Sequence, residues 1–149
     1  IKTGEAIYYN IEIKSEPSEY GHSQPASIKD FSDRVQRVIR AHVANPFIIL
    51  QSFDFAVLAY YHQVHPEVRL SALVESESPQ YTLDVLGFTP AIFSSSYQYL
   101  TPEMIQFCHA NGVQVVPWTI NSAEKMQQFE AWGVDGIITD YPNRAPKIR

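Results

Sequence analysis

Cysteine is almost missing from this sequence: Cys108 stands alone among 149 residues. One thiol excludes an internal disulfide and any zinc site built on cysteines. Long apolar runs are missing as well. No stretch reaches the roughly 18 consecutive apolar residues that a membrane-spanning helix needs, so no membrane span is expected. Cationic excess is absent, with 11 Lys plus Arg against 16 Asp plus Glu and a formal charge of −5. Phosphate backbones are held by clustered Lys and Arg, so nucleic acid is not expected as a partner. A small phosphorylated ligand stays open, because one or two well-placed cations can hold it. Neither G-x-G-x-x-G nor G-x-x-x-x-G-K-[ST] occurs, which removes support for a dinucleotide fold or a P-loop. There is no internal repeat and no low-complexity tract. No charged segment followed by an apolar one leads the chain, so a signal peptide is not expected. The first residue is Ile1, which fits a processed start or a piece of a longer protein.

What is present is core-forming material, 45% hydrophobic and 13% aromatic. Strand candidates are residues 6–14, 47–53, 69–74, 91–95, 113–119 and 136–139, mostly continuous in apolar character, as in strands covered on both faces. Helices with readable ends lie between them. Ser27 and Asp30 fit a capping box, followed by an expected inner face of Phe31, Val35, Val38, Ile39 and His42. Asp54 can cap a helix through Tyr60. Ser78-Pro79 and Thr101-Pro102 each place a cap before a first-turn proline, with Gly87 and Asn111-Gly112 as stops. Asn121 and Glu124 form another box, closed by Gly133. This β-α alternation of about six units implies a parallel sheet with right-handed crossovers. An open doubly wound sheet and a (β/α) barrel both fit the alternation. Without the nucleotide motifs the barrel remains, though a complete one has eight strands in roughly 250 residues.

Four clusters carry chemistry. In Asn10-Ile11-Glu12-Ile13-Lys14, strand alternation puts Asn10, Glu12 and Lys14 on one face and the isoleucines on the other. With the isoleucines under the outer helices, the polar trio points into the barrel at the strand's C-terminal end, where such barrels place their chemistry. The competing reading is an exposed edge strand with a Glu12–Lys14 ion pair. Trp118 ends a strand beside Val116 and either floors a pocket for a sugar-like group or fills the core. Asp140, after Asp135-Gly136, reads as a brace for nearby backbone amides. Phe53, in Gln51-Ser52-Phe53-Asp54, either walls a pocket or packs. His62 and His65 are spaced for a metal but read better as surface residues near a helix end.

In this order and spacing, Asn10 to Lys14, Gln51 to Asp54, Trp118 to Asn121 and Gly133 to Pro142 resemble the C-terminal part of the glycerophosphodiester phosphodiesterase family. Leu73-Val74-Glu75 sits where that family has a strand. The resemblance implies an α/β fold of the TIM (β/α)8 type, with residues 1–149 as the C-terminal portion of one barrel domain supplying about six of its eight units. It implies hydrolysis of glycerophosphodiesters to glycerol 3-phosphate and an alcohol with a divalent cation, Mg2+ or Ca2+. Glu12 then resembles a metal-ligating carboxylate and Lys14 the lysine that binds the phosphoryl group. Trp118 resembles the aromatic on the glycerol side, with Phe53 shaping the same pocket.

The sequence also departs from the family. The His-Arg-Gly motif, the Glu-x-Asp metal pair and the His-Asp motif do not occur in it. The expected enzyme is therefore the larger protein, and this chain alone is expected to be inactive. Its partners would be the small-molecule substrate and, over exposed sheet edges, a missing N-terminal half or a second copy. The alternatives are a non-catalytic phosphate or polyol binder and an interaction module on the same fold.

Overall fold

The computed structural model describes residues 8–43 and 47–145. They fall in two compact units, Ile1–Ala72 and Leu73–Arg149.

The first unit opens with β1 (Tyr9–Glu12), α1 (Ile28–His42), β2 (Ile48–Ser52) and α2 (Phe55–Val64). It ends in β3 (Arg69–Val74), whose last two residues belong to the second unit. β1 pairs with β2 and β2 with β3, both parallel, and a helix makes each return. That is the βαβ connection a parallel pair requires. β1 is shorter than residues 6–14, and Ala6 and Ile7 of that candidate lie outside the described residues. Leu50, Val57, Leu58, Tyr61 and Ala72 are completely buried and form the centre of this unit. Burying side chains the size of Val57, Leu50 or Leu58 contributes about 1.5–3 kcal/mol each.

Ser27 caps α1 as expected, accepting the Asp30 amide at 3.2 Å. The inner face of the helix is rotated from the expected one. Ser32, Gln36 and Ile39 are buried, while Val38 is 62% exposed and His42 also faces outward. α1 packs on α2, and the Tyr61 hydroxyl donates to the Ser32 carbonyl at 3.1 Å. Tyr60 donates to Asp33 at 2.7 Å. Both bonds join α2 to the same turn of α1, and the polar residues Ser32 and Gln36 are buried where an apolar pattern assigns Val38. Asp54 caps α2 through the Ala56 amide at 2.9 Å, and the helix runs on to Val64, past Tyr60. His62 is exposed, but His65 is buried as the cap that ends α2, so only one of the pair is a surface residue.

The second unit contains α3 (Pro79–Leu86), β4 (Ile92–Ser95), α4 (Pro102–Ala110), β5 (Gln114–Val115) and α5 (Ala123–Trp132). Ser78 and Thr101 cap their helices from just before the prolines, and Gly87 and Gly133 close α3 and α5 at φ of 69° and 90°. Only glycine takes that left-handed conformation without cost. The cap of α5 is Ser122, one residue past the expected Asn121. β4 and β5 pair in parallel. The amides of Gln114, Val116 and Trp118 donate in turn to Ala91, Phe93 and Ser95, each at 3.0 Å. Pro117 falls on an alternate position where no donor is needed, which is how a proline is tolerated beside a strand.

Residues 136–139 were expected as a sixth strand and are irregular. Ile138 donates to the Pro117 carbonyl and accepts from Ile120, both at 2.9 Å. A regular parallel bridge would take its second donor from residue 119, so the pairing slips by one residue. Phe93, Cys108, Val115 and Met126 are completely buried at the centre of this unit.

Candidate functional site

In the first unit the candidate residues gather at the C-terminal ends of β1 and β2. Glu12 is the last residue of β1, half-buried, and stands opposite Gln51 in the parallel register. Asn10, two residues earlier, donates its amide to Gln51 Oε1 at 2.8 Å. Ile13 between the polar residues is buried. Lys14 lies two residues beyond the strand and is exposed. Among the described residues no ion pair joins Glu12 to Lys14, and neither side chain has a hydrogen-bond partner. Phe53 follows β2 directly and is 49% exposed, so it is not a core residue.

The backbone carrying Lys14 is fastened by side chains that sequence reading does not assign to the site. Ser52, completely buried, donates its hydroxyl to the Ile13 carbonyl at 2.8 Å. Gln24 donates to the Lys14 carbonyl at 3.0 Å. Ser15 donates to Asp54 Oδ2 at 2.6 Å, and the Tyr20 hydroxyl contacts both of them. Burial raises the Tyr20 phenol above its ordinary pKa and the Asp54 charge adds to the rise, while the Ser15 bond opposes it. Polar residues at a strand end and a helix cap were visible signals for Ser52 and Asp54. Nothing local marks Tyr20, which arrives from a loop.

The second unit holds Trp118, half-buried at an isolated parallel bridge to Ser96. Its indole N–H donates to the Ser94 carbonyl at 3.0 Å. The polar edge of the ring is therefore committed to the protein. Asp140 is a brace, but its carboxylate bonds to the side chain of Asn121 rather than to the backbone amides expected. Asn121 donates to Asp140 Oδ2 at 2.9 Å, and its own oxygen accepts the Asp140 amide at 3.0 Å and the Thr139 hydroxyl at 3.1 Å. Asn121 is spent on this brace, which is why Ser122 caps α5.

Among the described residues no three His, Cys, Asp or Glu side chains come together as a metal site. Glu12 offers one carboxylate, whereas Mg2+ or Ca2+ takes about six or more oxygen ligands. These residues alone do not make a cation site, and His62 and His65 add none.

The model of the glycerophosphoryl diester phosphodiesterase family matches residues 2–144. A glycerophosphodiester phosphodiesterase of Bacillus altitudinis is 29% identical over 145 residues, 94% of this chain and 55% of that protein. One of Caldanaerobacter subterraneus subsp. tengcongensis is 28% identical over 138 residues, 89% of this chain and 51% of that protein. The crystal structure of a candidate glycerophosphoryl diester phosphodiesterase from Silicibacter pomeroyi DSS-3 superposes with a TM-score of 0.78 at 28% identity. It covers 92% of this chain and 48% of its own. The fold class is the one expected, α/β of the TIM-barrel type. The chain spans about half the length of the relatives it matches.

Proposed function

The chain belongs to the glycerophosphoryl diester phosphodiesterase family, and on that premise we propose that it is the C-terminal portion of a barrel enzyme that hydrolyses glycerophosphodiesters to glycerol 3-phosphate and an alcohol. The observation that carries this reading is the place of Glu12 and Lys14, at and just past the C-terminal end of a parallel strand in a chain of this family. That end of a barrel strand is where function is built.

Lys14 has the part of binding the phosphoryl oxygens. An uncommitted ammonium held by a fixed backbone stabilises negative charge that grows in the transition state. Trp118 offers its ring face to the glycerol moiety, since its N–H is already bonded, and Phe53, exposed just past β2, is a second aromatic for contact with the substrate. A Mg2+ or Ca2+ requirement belongs to the proposal for the whole protein, to which Glu12 contributes one carboxylate oxygen. The acid and base are not assigned to this chain, because none of its histidines among the described residues lies in a strand or ends one. The second reading is a phosphate or polyol binder without turnover.

The test is an assay of the whole protein on glycerophosphocholine with added Mg2+ or Ca2+, beside Lys14→Met and Glu12→Gln. Each substitution is expected to lower kcat about 100-fold or more. Phosphate binding without turnover by the whole protein would establish the binder instead. Full turnover by the 149 residues alone would overturn the claim that the remainder of the barrel is needed.

A further inference from the structure

We propose that Asp54 is a positioning residue for Lys14, acting through Ser15 and Tyr20; this rests on the reading of Lys14 as the phosphoryl-binding amine. The regular part of β1 ends at Glu12, and the Ile13 amide makes one more ladder bond, to the Gln51 carbonyl at 2.9 Å. Beyond that point side chains take over. Ile13 is held by Ser52, Lys14 by Gln24 and Ser15 by Asp54. Three consecutive residues are thus each fixed by a different side chain, and the middle one keeps its amine uncommitted among the described residues.

The carboxylate is the end of the chain of donors. A hydroxyl carries one proton, and the Ser15 proton goes to Asp54 Oδ2 at 2.6 Å. The Tyr20 O–H then serves either the Ser15 oxygen or the same carboxylate oxygen, at 3.3 Å. Asp54 is itself immobilised. Its Oδ1 accepts the Ala56 amide at 2.9 Å, and its own amide donates to Ser52 Oγ at 3.1 Å. One side chain therefore joins the start of α2 to the segment that carries Lys14. A cap alone would not explain this, because serine or asparagine caps as well as aspartate. Serine is too short to reach Ser15, and asparagine has one acceptor oxygen where the carboxylate has two, one for the Ala56 amide and one for the Ser15 hydroxyl.

The test uses the whole protein and three variants, Ser15→Ala, Tyr20→Phe and Asp54→Ser, each alone and combined with Lys14→Met. Asp54→Ser keeps an oxygen for the Ala56 cap but is too short to reach Ser15. Ser15→Ala and Asp54→Ser are expected to lower kcat/KM on glycerophosphocholine about 10-fold, as for a displaced catalytic group. Tyr20→Phe, which leaves the Ser15–Asp54 bond in place, should cost less. Melting temperatures should stay close to wild type, and the losses should vanish in the Lys14→Met background. Losses that persist there, or that follow falling melting temperatures, overturn the proposal. If the wild-type protein shows no turnover, the enzyme reading falls and a second measurement decides this one. The rate of Lys14 acetylation by acetic anhydride is followed by mass spectrometry with and without inorganic phosphate. Protection by phosphate in the wild type that is lost in Ser15→Ala supports positioning. Equal protection in both, or none in the wild type, overturns it.

Discussion

Asp135 stands 2.9 Å from His109, carboxylate oxygen to ring nitrogen, and the same oxygen accepts the Val115 amide at 2.7 Å. One carboxylate thereby ties the last turn of α4 to β5. The amide bond is the more valuable of the two, because removing the acceptor strands the backbone donor of a buried residue. Asp135→Ala is expected to cost about 1–3 kcal/mol. His109→Ala, at a largely exposed pair, should cost less than about 1 kcal/mol. Urea unfolding of both variants measures the difference. Equal losses would show that the His109 contact, not the amide bond, holds the junction.

Cys108 is completely buried, and burial pushes its thiol up from 9.0 to about 12, with the Asp135 charge acting in the same direction. A group whose folded value is raised favours the protonated folded state. Its contribution is complete below pH 9 and is lost as pH rises from 9 towards 12. The thiol should resist iodoacetamide at pH 8 in the folded protein and react once urea unfolds it. Rapid labelling without denaturant would contradict the burial.

The rotated face of α1 makes an opposed pair of predictions. Ile39→Ala removes a buried side chain and should cost about 2–5 kcal/mol. Val38→Ala, one residue earlier but exposed, should stay within about 0.5 kcal/mol of wild type. Thermal unfolding distinguishes them, and a larger loss at Val38 would restore the face that the apolar pattern suggests.

Trp118 separates a structural bond from a ligand contact. In the whole protein, Trp118→Phe keeps an aromatic face and loses the bond to the Ser94 carbonyl, for about 1 kcal/mol of stability and little change in KM. Trp118→Ala removes the face as well and should raise KM for a glycerophosphodiester about 10-fold. If both variants shift KM equally, the ring face is not what the substrate meets.

These residues also show how far local pattern reaches. Ser27, Asp54, Ser78 and Thr101 cap the helices that their neighbours imply, because a cap is decided within three residues of chain. The same short range misled at Asn121, whose amide is claimed by Thr139 and Asp140, 18 and 19 residues on. Likewise, Glu12 and Lys14 stand out in a strand-like segment, but the support that Asp54 gives Ser15 crosses 39 residues and leaves no periodic trace.

Element type, the alternation of strand and helix, and the chemical character of the motif ending in Lys14 were legible in the residue order, since each depends on side chains a few positions apart. The rotation of α1, the burial of His65, the slip at Ile138 and the fastening of residues 13–15 arose only when distant segments packed. Those outcomes turn on which side chains meet when segments far apart in the chain exclude water together, and that choice is made between segments rather than along them.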